Sequence, residues 1–244
     1  GGAESVVEYF SAYGKRPYED SIYSNLGEYY FGKRRYNDAV ATYDAFMSRN
    51  PFHRKAPIFH IRVIEINIAG GFPTLVIESK KSFATKYGLQ ADYWQYFQPD
   101  DRPEVIASLK ANLTDMANHY HVIYQNPKYV KEKPSNFSEA LHWYREFLTS
   151  FPKENNTPFM NYQLADLLLE NKSFALAAVE YEKTAYNYEP HERSSKAGYA
   201  AVYSYRQQLE STPEGNRTPV KKEVVRSSLK FVDSFPEHEK ASVV

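Results

Sequence analysis

Near the start of the chain Tyr23, Leu26, Gly27 and Tyr30 stand at i, i+3, i+4 and i+7. That spacing gathers them on one stripe of an α-helix with 3.6 residues per turn. Ala39 and Tyr43 follow at a second helical spacing, and then Pro51. Gly27 has no side chain, so a neighbouring helix backbone can approach it closely. Ala39 does the same from the other side, and Tyr43 fills the space beside it. Small residues opposite large ones predict two antiparallel helices joined by a tight turn over residues 32–37. Asn50-Pro51 ends the second helix, because proline cannot continue a helix and disfavours helical backbone in the residue before it.

This pattern resembles the tetratricopeptide repeat, W-x2-L-G-x2-Y, then A-x3-F, then P. The resemblance implies an all-α fold, a right-handed superhelical array of antiparallel helix pairs. In such an α-solenoid the first helices line a concave wall that is offered to a protein partner or peptide segment. The departure is Phe46, where the family usually carries a small alanine, and a wider gap to the next pair is expected there. Such arrays serve many unrelated pathways, so the motif identifies an architecture before it identifies a role.

The register recurs. Leu164, Ala165 and Leu168 line a first helix, and Phe174 opens a second with Ala177, Tyr181 and Thr184. Looser copies carry Leu113, Met116, Ala117 and Tyr120 with Phe137, Ala140, Tyr144 and Phe147, and Ala197, Ala201 and Ser204 with Val224 and Phe231. The most divergent copy has Phe59, Val63 and Ile66, a Gly70-Gly71 turn, then Leu75, Ser79 and Ser82. The expected organisation is one array over residues 1–244, with repeats at about 20–53, 56–89, 110–152, 158–191 and 194–236, the third and fifth carrying insertions. Residues 6–13 read as the tail of an earlier helix and residues 237–244 as the start of a new one, so a fragment of a longer chain is expected.

Thirty basic and 30 acidic residues leave the formal net charge at zero, so no bulk field gathers nucleic acid. No apolar run approaches the roughly 20 residues of a membrane helix, and insertion into a bilayer is not expected. The absence of cysteine removes disulfides, thiolate metal sites and cysteine nucleophiles. Most of the 22 tyrosines read as packing residues, with Tyr162 and Tyr205 as candidates for an aromatic-lined groove. The helix ends Tyr144-x-x-Phe147-x-x-Ser150-Phe151-Pro152 and Phe231-x-x-Ser234-Phe235-Pro236 resemble those of periplasmic repeat proteins, among them outer-membrane assembly lipoproteins and cell-division coordinators of Gram-negative bacteria. That similarity implies a periplasmic or envelope-associated location, with the cytoplasm as the alternative.

Catalytic signatures are missing. No His pair sits at H-E-x-x-H spacing, and His119 and His121, two apart, point to different sides of a helix. No G-x-S-x-G, Walker loop or G-x-G-x-x-G occurs. Glu19-Asp20 and Asp100-Asp101 fit helix-start chemistry. Neither metal nor cofactor is expected. On the repeat register the concave wall comprises Ser24, Glu28 and Phe31; His60, Ile64 and Asn67; Thr114, Asn118 and His121; and Tyr162, Asp166 and Leu169, with Tyr205 further along. This wall lacks lysine and arginine, which argues against a clamp for a terminal carboxylate and for an extended or helical protein segment. The function read from these features is a non-catalytic scaffold in a bacterial envelope assembly. The alternatives are a spacer or oligomerisation region of a larger protein and, less in keeping with the motifs, a helical enzyme.

Overall fold

The computed structural model describes residues 2–243. Among these residues there are eleven α-helices, a few short 3-10 turns and no strand. They form two compact units that divide between Met116 and Ala117. The first holds α1 (Gly2–Tyr13), α2 (Glu19–Gly32), α3 (Tyr36–Arg49), α4 (Ala56–Ala69), α5 (Pro73–Tyr87) and the start of α6 (Pro103–Gln125). The second holds the rest of α6, α7 (Lys133–Ser150), α8 (Thr157–Glu170), α9 (Phe174–Tyr186), α10 (Ser194–Ser211) and α11 (Arg217–Ser234). Within each unit the main packing is between helices consecutive in sequence: α2 on α3, α3 on α4 and α4 on α5, then α7 on α8 and onward to α11. The fold is all-α and built of antiparallel hairpins.

The hairpin turns share one device. Arg34, Gly71 and Lys172 take left-handed backbone, with φ of 57°, 72° and 59°. In each case the next amide donates back across the helix end: Arg35 N to Tyr30 O at 2.9 Å, Phe72 N to Asn67 O at 3.0 Å and Ser173 N to Leu168 O at 2.8 Å. This six-to-one bond satisfies a carbonyl that the helix end would otherwise leave open. In the first hairpin the left-handed residue is Arg34, inside the expected turn.

Tyrosine wedges hold the hairpins shut. A Cβ on Gly27 would lie 2.6 Å from the Tyr43 ring, so α2 and α3 are as close as a glycine permits. Tyr43 is buried, and its hydroxyl donates to Glu28 Oε1 on α2 at 2.6 Å. Tyr181 on α9 repeats this toward Asp166 on α8, across the same sequence separation. Phe46 is buried too, edge-on to Tyr23 at 5.5 Å and to Phe59 at 4.8 Å, so its ring occupies the space between α2 and α4.

Two charged anchors were not visible in the sequence. Glu19 opens α2 but is buried, accepting from Arg49 Nε at 2.9 Å and Asn50 Nδ2 at 3.0 Å, so it ties two helices together and does more than start one. Arg102, 1% exposed, donates to Arg54 O at 2.8 Å, to Glu104 at 3.0 Å and to the Tyr93 hydroxyl. It pins the segment between α5 and α6 against the loop before α4, because a buried guanidinium must have its N–H groups answered.

Removing the wedges should open the hairpins. Tyr43→Ala and Tyr181→Ala are expected to lower unfolding free energy by about 3 to 5 kcal/mol in urea titrations, and Gly27→Leu to destabilise through overpacking. Hydrogen exchange should show the loss concentrated in the altered unit. Gly71→Ala should cost about 1 kcal/mol through its backbone alone, since nothing lies within 4 Å of where the new Cβ would stand.

Candidate protein-interaction face

On α2, Ser24, Glu28 and Phe31 share one side, opposite Arg62 and Glu65 of α4. Arg62 grips Glu28 with two bonds, Nε to Oε1 at 2.7 Å and Nη2 to Oε2 at 2.8 Å, and holds Glu65 through Nη1 at 2.8 Å. Its guanidinium lies over the Phe31 ring at 4.4 Å. The hydrogen bonds from Arg62 hold the Glu28 carboxyl below the ordinary carboxylate range against the opposing effect of burial. The group is half open to solvent, the side chains of Arg62 and Glu28 being 27% and 47% exposed, so its contribution to stability is small. Tyr29 and Ile68 stand well exposed on α2 and α4.

The second unit carries a comparable cluster. Asp166 accepts from Tyr181, and burial raises its carboxyl above the usual range. The Arg193 guanidinium lies over Phe159 at 4.5 Å and Tyr162 at 5.3 Å, while Tyr162 meets Tyr181 edge-on. His121 is buried, with Nδ1 2.9 Å from the Tyr144 hydroxyl and Nε2 3.2 Å from Glu170 Oε2. Gln125 donates to the other Glu170 oxygen at 2.8 Å. Asn118 Oδ1 accepts from Tyr144 at 3.4 Å. Leu169 is half-buried on α8.

Several residues expected on the open wall are elsewhere. Aligned on the left-handed turn residues Arg34 and Gly71, His60 matches Tyr23 and Asn67 matches Tyr30. Both are 3% exposed and point at α5: His60 packs edge-on to Phe83 and Tyr87, and Asn67 Nδ2 donates to Ser79 Oγ at 3.0 Å. The expected register began one residue early, at Phe59, and the α4 positions matching Ser24, Glu28 and Phe31 are Ile61, Glu65 and Ile68. Tyr205 is buried beneath Arg226, which donates to its hydroxyl at 3.3 Å. Thr114 turns its hydroxyl back to Lys110 O at 2.9 Å. Nor are these faces free of cations, since Arg62 enters the cluster of the first unit and Arg193 that of the second. Arg62 follows Glu28 by 34 residues, one helical turn before the matching position Glu65, so the repeat register alone did not mark it as the partner of that carboxylate.

Among the described residues no group of three His, Asp or Glu side chains could hold a metal ion, and no helix is long and apolar enough to cross a membrane. The class this architecture defines is the all-α protein of stacked helix hairpins, of tetratricopeptide-like form. No family model and no curated protein matches the chain. Among solved structures, the crystal structure of MamA protein aligns with a TM-score of 0.35 and 14% identity, covering 90% of this chain and 94% of that one.

His60 gives this region a pH dependence. Burial, aided by Lys86, pushes its imidazole down to about 4, against about 6.5 in an unfolded chain. Between those values the unfolded state binds a proton that the folded state refuses. Stability therefore falls on acidification through this window, by about 3 kcal/mol across all of it. Urea midpoints at pH 7 and near pH 4 should drop further for the native chain than for His60→Leu; equal drops would mean that His60 titrates normally in the fold.

Proposed function

We propose that this chain is a non-catalytic scaffold that binds a protein segment along its first helices, within a bacterial cell-envelope assembly. The observation that carries the reading is the half-open charged and aromatic surface on those helices. Arg62, held by Glu28 and Glu65, stands over Phe31 in one unit, and Arg193 over Phe159 and Tyr162 in the other. Arginine and aromatic side chains at the edge of water are the residue types that dominate protein recognition. A mixed surface of this kind suits a segment bearing both apolar and charged side chains.

The histidine-carboxylate pair supports binding and not catalysis. A general base needs a ring nitrogen facing substrate, and both nitrogens of His121 are engaged, one by Tyr144 and one by Glu170. The pair positions α6 against α7 and α8 within its unit. The envelope part of the proposal rests on the Tyr-x-x-Phe helix ends; Tyr144, Phe147 and Phe151 are all buried, consistent with a packing role for that motif.

Photo-crosslinking residues at Glu65, Ile68 and Leu169, introduced into the chain in its native cell, should each trap the same protein, and residues at Leu176 and Val225 should not. Tyr162→Ala should weaken capture of that protein roughly tenfold. Crosslinks that appear only at Leu176 and Val225 would move the interface to the second helices and defeat the assignment. Recovery of the adduct from the cytoplasmic fraction would defeat the envelope location.

A further inference from the structure

We propose that the cleft framed by α3, α4 and α5 is a separate binding site that takes the free ammonium end of an amino acid or short peptide. It lies on the face of α4 opposite Arg62, so it stands or falls independently of the scaffold surface above. The cleft measures about 380 Å³, near the lower end of the range for small-ligand sites and suited to one or two residues. Buried His60 and Asn67 form its floor, Asp44 on α3 and Glu78, Ser79 and Lys86 on α5 its walls.

The observation pointing to a ligand is His60. Its ring lies near the Ser79 backbone, which slightly favours the protonated form, and Nδ1 has no hydrogen-bond partner although the residue is almost wholly buried. In the neutral ring with its proton on Nε2, Nδ1 is an acceptor, and a buried acceptor left unanswered is costly. The matching position of α8, aligned on the turn residues Arg34 and Lys172, is Asn161, which is fully used: Nδ2 donates to Glu180 O at 2.8 Å and Thr184 Oγ1 at 2.9 Å, and Oδ1 accepts from Tyr188 at 3.4 Å. The same place in the repeat is satisfied at Asn161 and left with an unanswered nitrogen at His60.

The walls say which donor fits. Asp44 and Glu78 make no hydrogen bond or ion pair among the described residues, and partial desolvation raises the Asp44 carboxyl, Lys86 partly offsetting this. Two carboxylates and an imidazole lone pair ask for a compact group with several N–H donors and a positive charge, which an ammonium supplies. Lys86, also without an ion-pair partner, stands on the wall where it can meet the carbonyl or carboxylate beside that ammonium. A ligand cationic at one atom and electron-rich three bonds away satisfies both ends, and the start of a peptide or a free amino acid has that form.

The test titrates the full chain with three probes at millimolar concentration: trialanine with a free amino terminus, the same peptide N-acetylated, and free L-alanine. The readout is the 15N shift of His60 Nδ1. Trialanine should move that resonance and the acetylated peptide should not. Asp44→Asn and Glu78→Gln, both exposed and so expected to fold, should each weaken binding roughly tenfold, while Glu146→Gln in the other unit should leave it unchanged. Alanine binding as well as trialanine would identify a free amino acid as the ligand; alanine failing where trialanine binds would identify a peptide terminus. No movement with any probe, or equal movement with the acetylated peptide, would overturn the proposal.

Discussion

A buried tyrosine with its hydroxyl answered across the hairpin, in the first hairpin wedged against a glycine, organises the rest of this structure. Tyr43 lies against Gly27 and reaches Glu28; Tyr181 reaches Asp166; Tyr144 reaches Asn118 and His121. The ring supplies the apolar filling of the hairpin, and the hydroxyl is costly to bury without a partner. In these three hairpins the first helix must therefore place a carboxylate, amide or imidazole within reach of the hydroxyl. That requirement makes polar residues on the first helices part of the fold before they are available to anything else.

It also explains the character of the candidate interaction surface. Glu28 and Asp166 are already held from behind by a tyrosine, so their carboxylates are oriented when a partner arrives. Arg62 then bridges Glu28 to Glu65 from the next first helix in sequence and covers Phe31. The surface is thus pre-ordered by interactions worth little individually in water, and ordering of this kind lowers the entropy lost on binding. The α3–α5 cleft shows the opposite case, where a repeat position holds a histidine with one nitrogen unanswered.

Much of the fold was legible because it is written locally. The stripe from Tyr23 to Tyr30, the Gly27 to Tyr43 complementarity and the Asn50-Pro51 ending each concern residues within a few turns of one another. The site was less legible. His60 and Asn67 were misplaced because the α4 stripe offers two apolar starting points, Phe59 and His60, and an aromatic is the natural choice when the turn geometry is unknown. Gly71 in left-handed backbone settles the register by aligning with Arg34, but a glycine pair does not announce which member takes that conformation. Arg102 and Glu19 were missed for another reason: charged residues are normally exposed, and only the partners brought to them from Arg54, Tyr93, Arg49 and Asn50 make their burial tolerable.

By itself the sequence determined that the chain is helical, that its helices pair as antiparallel hairpins, and which small residues let them close, since spacing and side-chain volume act between near neighbours. Only the tertiary structure decided which polar groups are consumed inside and which remain for a partner. A carboxylate or imidazole looks the same in the sequence whether a tyrosine 15 or 23 residues away takes it or leaves it free. That allocation depends on distances between helices, and those exist only once the helices have packed.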